Sequence, residues 1–251
     1  MNDRILITPN LPHSKVTAAA IGEKYKDTAK ELTELGITPI LIKMNPFLDE
    51  ETCSHADMLL FQKNSTSFVV SKEQKSAAEY LTGRGANVKF EDNVAAPYPN
   101  DVKLNAVIIG SKIICNKKYV SKRIYESAEK NKKEIINTKQ GYSKCSICLI
   151  NEKAVITEDA GLYTLLKNCQ VDVLKIQPGY VYLSEKHSGF LGGASGLINK
   201  NTIFFNGNIE QHPDYIQIAE FLRKHGIKSI YNKSKRLTDI GSILPLCESL
   251  T

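Results

Sequence analysis

The sequence predicts an α/β fold in which five strand–turn–strand–helix–strand (ββαβ) units close into a ring, a five-bladed α/β propeller occupying residues 1–251 as one domain. Three observations lead there. The pattern seen over residues 144–176 recurs four more times, and one of the copies is split between the two ends of the chain. Pairing of the N- and C-terminal segments then closes the ring. The equivalent positions of the copies, Asp57, Asn105, Ser146, Ser195 and Ser242, are all small or polar. Their spacing of roughly 40 to 50 residues is that of one supersecondary unit, which buries its open face only against a neighbour.

In chain order, residues 5–8 read as a strand of the split unit. Residues 17–35 read as a long helix with Ala29, Leu32 and Leu35 on its buried side, ended by Gly36, and 37–42 as the strand after it. An acidic loop, 45–54, leads to strands 55–61 and 68–70, a helix over 72–82 capped by Gly83-Arg84-Gly85, and strand 86–90. Loop 93–100 carries Pro97-Tyr98-Pro99, which favours extended or turn conformation of the kind that rims sites. Strands 104–110 and 113–115 follow, then a helix over 120–132 so charged that it must be largely exposed, then strand 134–137. The clearest copy places strands at 144–151 and 154–157, a helix at 159–168 and a strand at 171–176. After a loop containing His187, strands 193–199 and 202–205 precede a helix that starts at Pro213. That helix presents Tyr215, Ile218, Ala219 and Leu222 on one stripe and ends at Gly226, before strand 227–231. Residues 240–245 supply the first strand of the split unit.

Composition narrows the class. No apolar run approaches membrane-spanning length, the N-terminus lacks the charged and apolar segments of a leader, and a cytoplasmic location is expected. The six cysteines are expected to be reduced thiols. The net charge of +6 comes from lysines scattered over helix faces, with no basic stripe interleaved with aromatics, which argues against DNA as a partner. A basic rim attracting an anionic ligand or ribosomal RNA stays open.

In such a ring the first strands lie innermost, and side chains two apart share a face. Asp57, Asn105, Ser146, Ser195 and Ser242 are therefore expected on the axis. His55, Lys103 and Lys144 are expected beside them, and His187 in a loop at the channel mouth. His55 and Asp57 are the candidate acid–base pair, because an acid, a histidine and lysines held close perturb one another's protonation. The alternative is a structural hydrogen-bonded ring around buried water. Cys145-x-x-Cys148 lacks a second pair, and on a strand its thiols point to opposite faces. No metal site and no cofactor are expected. Gly192-Gly193-Ala194-Ser195-Gly196 reads as small residues letting a strand approach a crowded axis.

Five such units with a split closing unit resemble the pentein superfamily, the fivefold α/β propellers that include arginine deiminase, dimethylarginine hydrolase, amidinotransferases and a non-enzymatic ribosome anti-association factor. His55-Ala56-Asp57-Met58-Leu59-Leu60-Phe61 is similar to the superfamily's second-unit acidic strand, and its His-x-Asp to the catalytic histidine motif. Gly241-Ser242-Ile243-Leu244-Pro245 is similar to the C-terminal strand that carries the nucleophilic cysteine, where this chain has Pro245. The further catalytic carboxylate falls at Gln62 or Lys63. The resemblance implies a pocket for a small cationic or zwitterionic ligand, a guanidino or amino-acid compound, processed by an amidinotransferase- or hydrolase-related activity. The departure at Pro245 leaves open a non-catalytic binding scaffold, for example a ribosome-associated factor.

Overall fold

The computed structural model describes residues 3–250; residues 1, 2 and 251, on which part of the expectation about the N-terminus falls, lie outside the described residues. The chain begins with β1 (Asp3–Ile5), β2 (Val16–Gly22), α1 (Lys26–Glu34) and β3 (Thr38–Ile42). A single helical turn, α2 (Ala56–Leu59), opens the next unit, followed by β4 (Leu60–Asn64), β5 (Ser67–Ser71), α3 (Lys75–Thr82) and β6 (Asn87–Glu91). Then come β7 (Val107–Ile109), β8 (Lys112–Cys115), α4 (Lys122–Lys130) and β9 (Glu134–Asn137). The following unit is β10 (Cys148–Asn151), β11 (Ala154–Thr157), α5 (Ala160–Asn168) and β12 (Asp172–Lys175). The last complete one is β13 (Ser195–Asn199), β14 (Thr202–Phe205), α6 (Tyr215–Lys224) and β15 (Lys228–Tyr231), after which β16 (Leu244–Ser249) returns to the first sheet.

Each of five sheets repeats one topology: an antiparallel pair, then a helical crossover to a parallel strand. The hairpin turns are local chemistry. The side-chain oxygens of Asn64 and Asn151 accept the amides of Thr66 and Lys153, an arrangement that mimics a backbone turn. Middle strands are covered on both faces and read as continuous apolar runs, such as Phe68-Val69-Val70 and Ile203-Phe204-Phe205. Full burial of side chains like Phe68 and Phe205 contributes roughly 1.5–3 kcal/mol each. All five crossover helices end alike, in a left-handed residue (Gly36, Gly85, Lys132, Gln170 or Gly226) followed by an amide that reaches back five residues, as Ile37 N–H does to Leu32. Among the described residues no helix is long and apolar enough to cross a membrane.

The five-unit architecture and its closure by the chain ends stand as expected, but the closing unit is shifted. Residues 5–8 are not its second strand. That role falls to β2, which was expected to start the first helix and instead pairs with β16 and β3. Its alanines suggest helix by propensity, yet Ala18, Ala19 and Ala20 are buried, and close packing between two strands overrides the preference. The C-terminal strand likewise starts at Leu244 rather than 240. Pro245 lies where the pairing with β2 slips, a position that tolerates a residue with no amide to donate.

The innermost segments differ more. Residues 55–59, 104–106, 144–147 and 193–194 were expected in strands, but they form turns or a helical turn before β4, β7, β10 and β13. Side-chain alternation therefore does not govern them, and His55 and Asp57 meet because a helical turn starts between them.

β16 is hydrogen-bonded to β1 on one side and β2 on the other, so it is an interior strand. Truncation after Ile243 strands the backbone groups of both neighbours. The truncated chain is expected to lose its cooperative thermal transition in calorimetry; a melting temperature equal to that of the full chain would refute this.

Candidate functional site

The five innermost turns are tied head to tail around the axis. Asp57 N–H donates to Gly241 O at 3.0 Å, Ser242 N–H to Gly193 O at 2.7 Å, and Gly193 N–H to Cys145 O at 2.9 Å. Asn105 closes the circle through its side chain. Its Oδ1 accepts from Lys144 N–H at 2.7 Å, and its Nδ2 donates toward Asp57 O at 3.4 Å. The approach is close enough to require glycine: a Cβ on Gly193 would collide with the Asp239 carboxylate, and one on Gly241, at φ 72°, with His55.

This ring gathers buried polar side chains. Asp57 Oδ2 accepts from Ser242 Oγ at 2.6 Å, and Ser242 Oγ accepts from Lys144 Nζ at 2.9 Å. Asp57 Oδ1 accepts from Asn105 Nδ2 at 3.2 Å. The Cys145 thiol lies 3.2 and 3.1 Å from the two Asp57 oxygens. His55, Asp57 and Cys145 offer donor atoms that all lie within 4.8 Å of one another. Asp239 stands alongside, its carboxylate accepting from Phe190 N–H and Gly241 N–H at 2.9 Å each, with Oδ1 3.9 Å from His55 Nδ1.

Burial disfavours the charged forms of Cys145, Asp57, Asp239 and His55. It raises the Cys145 thiol well above its ordinary value, with Asp57 and Asp239 adding to the effect, and it raises Asp57 against the opposing pull of His55 and Lys144. Asp239 is pushed up to about 6 and His55 down to about 4 by the same desolvation.

Above His55 and Cys145 opens a cavity of about 280 Å³, walled by Asp49, Glu51, Tyr142, His187, Phe190 and Asp239 among others. Two much smaller spaces, about 10 Å³ each, lie against Lys144, Asn10 and Pro245, each with room for about one water molecule.

Of the residues singled out from sequence, the axis brings together His55, Asp57, Asn105, Lys144 and Ser242, and His187 lines the cavity, its Nδ1 donating to the Glu51 carboxylate at 2.9 Å. Ser146 and Ser195 are placed elsewhere. Ser195 Oγ donates to Cys148 Sγ of the neighbouring unit at 3.3 Å, neither serine lines the cavity, and Lys103, away from the cavity too, donates from Nζ to Asp92 O at 3.3 Å. Cys145 and Asp239 were missed. Cys145 had been put on a strand with Cys148, but the turn 144–147 precedes β10 and sends the two thiols to different partners. Cys247 is fully buried in β16 and receives the Tyr80 hydroxyl at 3.8 Å.

Near the cavity, Glu158 is held up to about 8 by burial; one carboxyl oxygen accepts Leu191 N–H at 2.8 Å, and the other has no hydrogen-bond partner among the described residues. The folded chain thus keeps a proton that the unfolded chain releases near pH 4.5, and stability falls as pH rises from there to about 8. Glu158→Gln keeps the acceptor and removes the ionisation. Thermal melts are expected to show the variant several degrees more stable than wild type at pH 9 and indistinguishable at pH 4; equal melting temperatures at both pH values would contradict the buried acid.

Residues 20–244 match the model of a family described as a family of unknown function (DUF6873). The sequence finds no match among curated proteins. Solved structures share the fold of the pentein superfamily: SxtG, an amidinotransferase from Microseira wollei, superposes with a TM-score of 0.60 at 9% identity, covering 98% of this chain and 97% of its own. DDAH from Pseudomonas aeruginosa, complexed with citrulline, gives 0.57 at 8% identity with 95% and 100% coverage. The agmatine deiminase of C. jejuni gives 0.56 at 11% identity with 91% and 90% coverage.

Proposed function

The chain belongs to the family of unknown function DUF6873, and we propose that its axial cavity binds a small cationic compound of the guanidino or amino-acid class and acts on it by an amidinotransferase- or hydrolase-related reaction. The observation that carries this reading is a thiol, an imidazole and a carboxylate, those of Cys145, His55 and Asp57, with donor atoms within 4.8 Å of one another, the first two lining a 280 Å³ cavity and Asp57 behind them. Pentein-fold structures named for an amidinotransferase, for DDAH with citrulline and for an agmatine deiminase support the choice of substrate class.

The charge balance favours a cation. Asp57 and Asp239 are buried, Lys144 is the one cationic side chain among the described residues tied to Asp57, through Ser242, and Asp49 and Glu51 add acidic groups at the rim. A guanidinium here gains charge-assisted hydrogen bonds from carboxylates already stripped of water. Its positive charge also opposes the desolvation that keeps Cys145 protonated.

The chemistry then follows from the residues. As Cys145 sulfur forms a bond to the amidino carbon, its proton passes to His55, which burial holds neutral. The carbon–nitrogen bond breaks, and the leaving amine takes that proton. Water, or an acceptor amine in a transferase, next attacks the same carbon, the carbon–sulfur bond breaks, and the thiol is restored. Asn105, Lys144 and Ser242 hold Asp57 in place, and His187 with Glu51 shapes the mouth.

The test is covalent. 2-Chloroacetamidine, a cationic alkylating amidine, is expected to modify Cys145 faster than its neutral analogue 2-chloroacetamide does, and faster than it modifies any of the other five cysteines, as read by peptide mass spectrometry. Asp57→Asn keeps the shape and removes the charge; it is expected to slow Cys145 modification about tenfold, equivalent to about 1.4 kcal/mol of barrier. Citrulline or ammonia release from a panel of arginine analogues reads turnover. Equal rates for the charged and neutral reagents would rule out the cation site, and a modified Cys145 without any turnover would mark a non-catalytic binding scaffold instead.

A further inference from the structure

We propose that His55, Asp57 and Cys145 also form a binding site for a zinc-class divalent metal ion, open on the side of the axial cavity. The first ground is spacing. Metal–ligand bonds of about 2.0 to 2.3 Å in a tetrahedral site put donor atoms roughly 3.3 to 3.8 Å apart. Asp57 and Cys145 already stand 3.1 Å apart, and the three donors of the set fall within 4.8 Å of one another, so shifts of an ångström or less bring them onto one ion.

The second ground is independent of the first. His55 is 1% exposed, and neither of its ring nitrogens has a hydrogen-bond partner among the described residues. A buried imidazole left this way carries an uncompensated desolvation cost, which a metal–nitrogen bond removes. Asp239 Oδ1, at 3.9 Å from Nδ1, is too far to be that partner.

Charge gives the third. A thiolate and a carboxylate together carry two negative charges, which one divalent cation balances, the thiol proton being released on binding. A sulfur, a nitrogen and an oxygen donor form a set that suits zinc and disfavours calcium or magnesium, which take oxygen ligands.

All three side chains come from turns fixed by the axial hydrogen-bond ring, which gives the site the rigidity that a selective ion site needs. His55 and Cys145 line the cavity, so a further coordination position faces it, as in three-ligand sites that keep one position open. The expectation from sequence that no metal site exists rested on pairing Cys145 with Cys148; the ligand set instead crosses between units 88 residues apart in sequence. Metal and guanidinium call on the same side chains, so only one is held at a time.

The experiment uses the full chain, stripped with a chelator and titrated with Co²⁺, then Zn²⁺. Wild type is expected to bind one Co²⁺ with a near-ultraviolet thiolate-to-cobalt charge-transfer band, and one equivalent of Zn²⁺ is expected to abolish it. Cys145→Ser is expected to lose the band, and His55→Ala to bind Zn²⁺ at least about tenfold more weakly by calorimetry. His187→Ala and Cys53→Ser are expected to retain the wild-type spectrum. No charge-transfer band in the wild-type chain overturns the proposal without recourse to any variant. So does a band that survives Cys145→Ser, or one lost in His187→Ala or Cys53→Ser. The spectrum does not depend on amidine reactivity, so the two proposals fail separately.

Discussion

Five chain segments meet on one axis with too little room for five extended strands, and the molecule resolves this with a circle of hydrogen bonds between turns. Each link joins a different pair of units: Asp57 to Gly241, Ser242 to Gly193, Gly193 to Cys145, and Asn105 to both Lys144 and Asp57. Elsewhere the units touch mainly through apolar side chains, which set distance but not angle. The circle sets the angle. Where no backbone group is in position to bridge, the Asn105 carboxamide serves as one, donating and accepting as a peptide unit would. Gly193 and Gly241 belong to the same constraint, since any side chain there would occupy the space of Asp239 or His55.

A circle of backbone bonds leaves side chains pointing inward with little water to meet them. Lys144, Ser242 and Asp57 form one chain of partners, and Asn105 and Cys145 complete the shell of Asp57. Replacing a buried ionic cluster with apolar residues is often neutral or stabilising, so stability alone does not account for keeping a lysine, two aspartates and a histidine here. Their arrangement also separates two environments. The lysine side closes onto spaces of about one water each, whereas the His55 and Cys145 side opens to a cavity large enough for a small molecule. On the open side neither ring nitrogen of His55 has a hydrogen-bond partner among the described residues, whereas on the closed side Lys144 is tied through Ser242 to Asp57.

How much of this was legible in the sequence divides along a physical line. Helices α3 to α6, the crossover strands and the split closing unit follow from periodicity and from end signals such as Gly36, Gly85 and Gly226. Lys132 and Gln170 adopt the same left-handed conformation with no such signal, because the reach-back hydrogen bond and the strand that follows impose it. β2 was hidden by its alanines, whose local preference loses to packing between two strands. His55, Asp57, Asn105, Lys144 and Ser242 were legible as a group because repeat alignment puts them at equivalent places. Cys145 was adjacent to one of those places and still escaped, since a period of two was applied to a segment that is a turn. The approach of strands to a crowded axis is the circumstance that ends the period, and no residue pattern within 144–147 announces where.

The displacement of the thiol has the same origin. In a ring of five like units the innermost turns converge on one central space, and two of them, through His55 and Cys145, reach the cavity floor. Resemblance to the pentein superfamily pointed to the C-terminal strand for the cysteine, where this chain has Pro245 at a slip in the β16 pairing, facing the closed side. The thiol on the open side belongs instead to the turn before β10, two units away around the circle, with the carboxylate from the turn before β4. The convergence brings a sulfur from one turn, an acid from another and a bridging amide from a third to one place. Under the proposed function, the chemistry belongs to the turns that carry these groups and not to the strand that holds Pro245.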